Sequence, residues 1–393
     1  MDYYINDAGI LLAETSLPQT RFNIDGMTCA SRVRKAIQYA DTIDRAVEIL
    51  ARDNNGLYTN EWLLADVNTN EIAMFELGTG KSKLWRSSKN EWFGGTPGFY
   101  WSCNNCKDME VRMETIASPK GRPGNVVFQP SDRDIAWVKL YEKYRGRIGA
   151  DFVKDFCASD VLTAPTGLDA KVTTTDLAKE MKTYASFGPP NGTTRNPTVK
   201  EKQKYPEIKP LVKSPWTMLG PKTPSTALKV SNTTPSPDDS ELAWRGTLLP
   251  QTDADIWLAT AFADYHEMVV AEKRSLRQGN ASKLRESLQE CRKRYLDAAK
   301  TGEVALVDIK QSAASDEWYR LASAKGVLLL HQLRCDVGAE RFDQAMDEFG
   351  MKHGGERVNW RAFHRHMESA TGRNLDAFFA YWMRAKGLPV GAP

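Results

Sequence analysis

Apolar positions along the first hundred residues switch between two periods. Ile10-Leu11-Leu12, running into Glu14-Thr15, reads as a short strand. Val33, Ile37 and Ala40, then Ile43, Ala46, Val47 and Leu50, recur at helical spacing, which predicts helices over 30–40 and 42–52. Asp53-Asn54-Asn55-Gly56 ends the second helix with residues that tolerate left-handed backbone. Leu57 to Asp66 and Ile72 to Leu77 read as partner strands, with Val67-Asn68-Thr69-Asn70 as the hairpin turn. Two more strands are expected at Lys83–Arg86 and Phe99–Cys103, separated by the Gly94-Gly95-Thr96-Pro97-Gly98 loop.

Beyond residue 130 the period is helical. Ser131 followed by Asp134 suits an N-cap with an acid in the first turn, and Ile135, Val138, Leu140 and Tyr141 follow. A further helix is predicted from Thr174 to about Tyr184. Residues 188–250 hold eleven of the nineteen prolines, so this stretch is expected to wrap or link without secondary structure of its own. From Asp253 the pattern is helical to the end, with helices predicted over 253–275, 281–299, 316–335, 338–350, 359–370 and 374–385.

Composition narrows the class. Hydrophobic residues are 41% and charged residues 26% of 393, as in ordinary globular chains, and a net charge of +3 gives no argument for a nucleic-acid partner. No apolar run reaches the length of a transmembrane helix. Met1-Asp2-Tyr3-Tyr4 has neither the basic nor the apolar region of a signal peptide, so a cytoplasmic location is expected of the chain as given. A secreted or periplasmic one stays open if further sequence precedes it. Six cysteines are too sparse for a disulfide framework.

Three segments are distinctive: Tyr3-Tyr4-Ile5-Asn6-Asp7-Ala8-Gly9-Ile10, Asn55-Gly56-Leu57-Tyr58-Thr59-Asn60-Glu61-Trp62, and Asp169-Ala170-Lys171-Val172-Thr173. With Val127-Phe128-Gln129, Arg133-Asp134 and Ser214-Pro215-Trp216 in order between and after them, they resemble the phospholipase B-like branch of the N-terminal-nucleophile hydrolases over residues 1–275. That resemblance implies a partial αββα sandwich over 1–187; with the proline-rich segment over 188–252 and the helical domain over 253–393 read from the pattern above, the expected class is α+β. The resemblance also implies cleavage of a small acyl amide or ester by a cysteine whose α-amine serves as base, with an asparagine holding the oxyanion. The family's nucleophile stands upstream of the segment matching Tyr3–Ile10, and the chain starts two residues before it. The expected protein is therefore a hydrolase body inactive alone, its sheet completed by an upstream chain or a second copy. The competing expectation is a non-catalytic binding or scaffold protein.

Candidate residues follow from this reading. Asn104 and Asn105, at the end of a predicted strand, are the oxyanion candidates that the resemblance implies, with Asn60 behind them. Cys29, just before a helix whose N-terminus lowers a thiol pKa, is a substitute nucleophile, against the plainer reading of a small residue at a helix start. Asp169 and Lys171 either line the site or form a surface ion pair. Cys103 and Cys106 make a single C-x-x-C, which reads as a redox pair or half a zinc site, though no second C-x-x-C occurs in the sequence to complete one. No cofactor and no metal are expected.

The tail carries a second likeness. Ala324-Lys325-Gly326-Val327, Leu329-Leu330-x-x-Leu333-Arg334, Trp360-x-x-Phe363 and Phe378-Phe379 with Tyr381-Trp382 resemble the helical end of gluzincin aminopeptidase catalytic domains. That family holds zinc on a His-Glu-x-x-His helix with a distant glutamate, and places a tyrosine before the Lys-Gly pair. No His-Glu-x-x-His occurs in the sequence, Ser323 stands at the tyrosine position, and His364 and His366 are two apart, on different helix faces.

Overall fold

The structure, a computed structural model, describes residues 3–163, 167–221, 242–277 and 283–388. They divide into two units, one from residues 1–106 and 130–231, the other from 107–129 and 232–393. The class is α+β, as expected: a sheet-bearing N-terminal portion precedes a helical C-terminal one. No described helix is long and apolar enough to cross a membrane.

In the first unit β1 (Tyr3–Ile5), β2 (Ile10–Ser16), β3 (Asn60–Asp66), β4 (Glu71–Leu77) and β5 (Ser82–Arg86) form an antiparallel sheet in sequence order. Between β2 and β3 the chain makes α1 (Cys29–Tyr39) and α2 (Ile43–Ala51), each capped by a threonine hydroxyl, Thr28 on Ser31 N–H and Thr42 on Arg45 N–H. Strand side chains alternate between faces, so Ile10 and Leu12, Trp62 and Leu64, and Ala73, Phe75 and Leu77 share one face. That face packs on Val33 and Ala36 of α1 and on Ile43, Ala46 and Leu50 of α2. Two buried polar side chains fasten the layers. Asn6 donates to Ala40 O at 2.7 Å and Ile37 O at 3.2 Å, and accepts from Ile10 N–H at 2.8 Å. Arg32 donates to Met27 O at 3.1 Å and also to Leu50 O, tying the start of α1 to the end of α2.

After α3 (Met109–Met113), which belongs to the second unit, come α4 (Asp132–Tyr144), α5 (Ala150–Ala158) and α6 (Asp160–Thr163) of the first. The Ser131–Asp134 signal is a full capping box at the start of α4. Two local expectations fail. Phe99–Cys103 forms no strand, although Tyr100, Trp101 and Cys103 are buried; its rings stack, Phe99 on Trp101 at 6.3 Å and on Tyr141 at 5.5 Å between centroids. An apolar run looks the same in sequence whether a ladder or ring packing buries it. The helix expected over 174–184 ends early, as α7 (Thr175–Lys179), because Met181 turns into left-handed backbone at φ 53°. Thr183–Phe187 is instead β7, the middle strand between β6 (Asp169–Val172) and β8 (Thr217–Leu219). The proline-rich stretch also holds α8 (Val199–Lys204) and β9 (Leu249–Pro250), while its residues 222–241 lie outside those described.

The second unit is built on α9 (Ile256–Arg277), α10 (Lys283–Ala299), α11 (Glu317–Val337) and α12 (Ala339–His353). The short β10 (Arg357–Val358), paired parallel to β9, leads into α13 (Trp360–Thr371) and α14 (Asp376–Arg384). These helices agree with the sequence periods to within a few residues. α9, α10 and α12 pack round α11, which is apolar on nearly every side and buried along most of its length, as a central helix must be. Gly326 allows a close approach of α9: a Cβ there would lie 2.8 Å from Ala261 Cβ and 2.9 Å from Trp257 O. Asp255, also buried, is fully satisfied: one carboxylate oxygen caps Thr252 and the other accepts Trp360 N–H at 2.8 Å.

Candidate functional site

The first unit contains a cleft of about 920 Å³ above α1, lined by Tyr4, Glu14, Cys29, Arg34, Tyr58 and Trp62 among others. One sequence candidate, Cys29, lines it, and a second, the buried Asn60, lies behind that residue. Cys29 opens α1, and Asn60, the first residue of β3, points its amide Nδ2 at the Cys29 sulfur, 3.8 Å away. Tyr58 donates its hydroxyl to Glu14 at 3.0 Å. The electrostatics oppose a thiolate. Burial pushes the Cys29 thiol up; Arg32 pulls it down, and Glu14 raises it further. Desolvation is the largest cause and the net direction is upward, opposite to the activation expected of a thiol at a helix start. The cleft presents a neutral thiol beside an amide donor.

The other candidates lie apart from this cleft. Asn104 takes left-handed backbone at φ 64°, and its side chain is engaged at both ends, donating to Ser16 O at 2.8 Å and accepting from Arg133 at 3.1 Å. Asn105 donates to Asp134 at 2.7 Å. Both asparagines thus brace a loop that packs on α4. Asp169 and Lys171 pair at 2.6 Å on β6, beside Tyr3, Ile5 and Thr183. Cys103 and Cys106 form no disulfide with each other, and their thiols point at different carboxylates, Asp134 at 2.9 Å and Glu76 at 3.0 Å.

The helical unit holds the histidines and the Lys-Gly pair. Lys325 is buried, donates to Ala385 O at 2.6 Å, and is pushed down to about 8 by burial, against the pull of Glu303. Ser323, at the position of the aminopeptidase tyrosine, is buried as well. His266 on α9 is followed by Glu267, but four residues on stands the buried Val270. Its Nε2 accepts Ala243 N–H at 3.3 Å, and burial lowers its pKa. A zinc ion of the kind a His-Glu-x-x-His helix holds does not fit here, since the second imidazole is a valine and the first already has its partner. His331 bonds Tyr265 at 2.8 Å, and His366 bonds Ala345 O at 2.8 Å. His364 faces two carboxylates, Glu368 and Asp376. A search for paired histidines passes this group over, because both partners of His364 are carboxylates. The i, i+4 partner of His364 is a glutamate, and Asp376 comes from the next helix.

The Peptidase family M1 domain matches residues 242–382, well under half of the chain and inside the helical unit. The aminopeptidase-like character of the C-terminal part is thereby supported. No curated protein matches the chain. Among solved structures, a mutant M1 zinc metallopeptidase of Deinococcus radiodurans bound to a Tyr-Ser-Ala substrate is 22% identical, over 37% of this chain and 31% of its own, at a TM-score of 0.28. An M1 zinc metallopeptidase from the same organism is 24% identical over 38% and 32%, at 0.26. The chain spans about a third of the length of these structures, and at such scores the likeness carries no argument.

The match over 242–382 overturns the expected function. A cysteine-dependent acyl hydrolase of the phospholipase B-like class finds no support in any comparison, and the scaffold alternative fares no better. The segments that suggested that class have local structural duties in the first unit. Asn6 closes the β1–β2 turn onto α1, and Asn55 accepts Leu57 N–H at 3.0 Å in the turn before β3. Such duties favour the same residue types in unrelated folds.

Proposed function

We propose that this chain is a relative of the M1 peptidases that acts on peptides, its helical unit supplying the C-terminal helices of a peptidase-type catalytic domain. The observation that carries the reading is the M1 domain match over 242–382, lying within one compact unit. Packing is consistent with it: the Lys325-Gly326 pair sits where α11 crosses α9 closely enough that a Cβ at 326 would lie within 3 Å of Ala261 and Trp257. The reading places no zinc on residues 266–270.

The test is substrate class. Binding and turnover are measured in parallel for an unblocked tripeptide, an N-acyl amide and an acyl ester. The tripeptide is expected to bind saturably, and any hydrolysis to be confined to it and unaffected by iodoacetamide. Binding of none of the three, or acyl turnover that alkylation abolishes, overturns the proposal.

A further inference from the structure

His364 lies on α13 one turn before Glu368, so both side chains leave the same face of the helix. Asp376 is the first residue of α14 and comes to the same point from across the Gly372–Leu375 turn. One ligand-type atom from each of the three gathers within 4.8 Å of the others. We propose that these three side chains form a divalent-cation site of the zinc type, joining α13 to α14.

The decisive observation is the imidazole. Its Nε2 is shut off from solvent and makes no hydrogen bond. Yet Glu368 Oε1 is 3.3 Å away and Asp376 Oδ1 3.6 Å away. A nitrogen at ion-pair distance from two carboxylate oxygens with a hydrogen bond to neither is unusual, because buried polar atoms nearly always find a hydrogen-bond partner. A shared cation explains the spacing. Zinc–nitrogen and zinc–oxygen bonds of about 2.1 Å at a tetrahedral angle put neighbouring ligand atoms about 3.4 Å apart. The two separations bracket that value.

The surroundings orient the donors, as outer-shell groups do at metal sites. Glu368 Oε1 accepts Leu375 N–H at 2.8 Å, which fixes that carboxylate. Asn374 donates to Asp376 Oδ2 at 3.2 Å, leaving Oδ1 turned to the imidazole. The His364 ring is held against Phe379 at 4.5 Å between centroids and stacks with Trp360 at 6.4 Å. Asp376 is 73% exposed, so a cation enters from solvent and keeps water in its fourth position. One imidazole with two carboxylates favours zinc over calcium or magnesium, which take oxygen ligands.

The site is independent of the peptide reading and is tested without activity. The full chain is stripped with a chelator and titrated calorimetrically with zinc chloride, alongside D376N, E368Q and C335S. D376N changes an exposed side chain, so its fold is expected to survive; circular dichroism checks this. We expect one zinc equivalent, binding weakened at least tenfold in D376N and in E368Q and unchanged in C335S. C335S controls for the thiol that lies 3.6 Å from the His331 ring. Cobalt substitution separates the two places further: an all N/O site shows d–d bands without the near-ultraviolet thiolate-to-cobalt transition. Zinc affinity unchanged in D376N and E368Q overturns the proposal. A thiolate transition does so too, as does an absence of zinc binding in the folded wild-type chain.

Discussion

Lys325 offers a direct measurement of what burying a charge costs this fold. It sits on the central helix with 1% of its surface exposed, and its ammonium reaches Ala385 O, 2.6 Å away, just beyond the C-terminal end of α14. The helix terminus and Glu303 favour the charge, but burial dominates and brings the pKa from 10.5 to about 8. The folded state therefore binds fewer protons than the unfolded state between about pH 8 and 10.5, and stability attributable to this group rises with pH across that window. Below it both states are protonated and the whole penalty is present. Above it both are neutral and the penalty is gone. Its size is about 3 kcal/mol, from roughly 1.4 kcal/mol per tenfold change in proton affinity.

Lys325→Met keeps the length of the side chain and removes the charge. Urea unfolding of wild type and variant at pH 7.5, 8.5, 9.5 and 10.5 gives the stability difference at each pH, and thiol or tyrosine titrations elsewhere cancel in it. The stability of Lys325→Met relative to wild type is expected to fall by about 3 kcal/mol from pH 7.5 to 10.5. The lost bond to Ala385 O offsets the whole curve without tilting it. A difference that stays flat with pH refutes the reasoning, and would mean that the ammonium finds water or a counter-charge in the folded state.

Gly326→Ala places a methyl 2.8 Å from Ala261 Cβ and 2.9 Å from Trp257 O, so α9 and α11 must part. Overpacking of about 1–3 kcal/mol, less about 1 kcal/mol of gained helix propensity, lowers the urea midpoint; a higher midpoint contradicts the packing argument. Asp264 is raised to about 6 by burial, with Arg294 opposing and Glu267 adding, so the folded state holds its proton between about pH 4 and 6 and loses stability as pH rises through that range. Asp264→Asn removes that slope, gaining up to about 3 kcal/mol on wild type between pH 4 and 7 by the same conversion; parallel stability curves count against it. Cys29, raised by burial and held beside Asn60, is expected to react with iodoacetamide at pH 7.5 more slowly than glutathione, as peptide mapping of the labelled protein reports. Faster labelling would mean an activated thiol.

Periodicity exposes helices whose partners are near in sequence and hides pairings whose partners are far. The helices from α9 to α14 are legible because each carries its own apolar stripe and most have short connections. β7 was hidden because its neighbours are β6 and β8: Tyr184 pairs with Val172 on one side and with Met218 on the other, and nothing local to Thr183–Phe187 announces either. The same limit explains the site. His364 and Glu368 share a helix face, and their spacing stands in the sequence, but a two-residue pair on a solvated helix is common and carries no chemistry alone. Asp376 changes that only once Gly372, in left-handed backbone at φ 67°, turns the chain so that α14 starts beside the imidazole. Asn60 and Cys29 illustrate the converse. Their meeting at 3.8 Å gathers two residue types suited to acyl chemistry, yet burial keeps the thiol protonated. Residue identity showed which groups could react; how far each side chain is shut off from water, which only the folded chain fixes, separates an inert pair from a poised one.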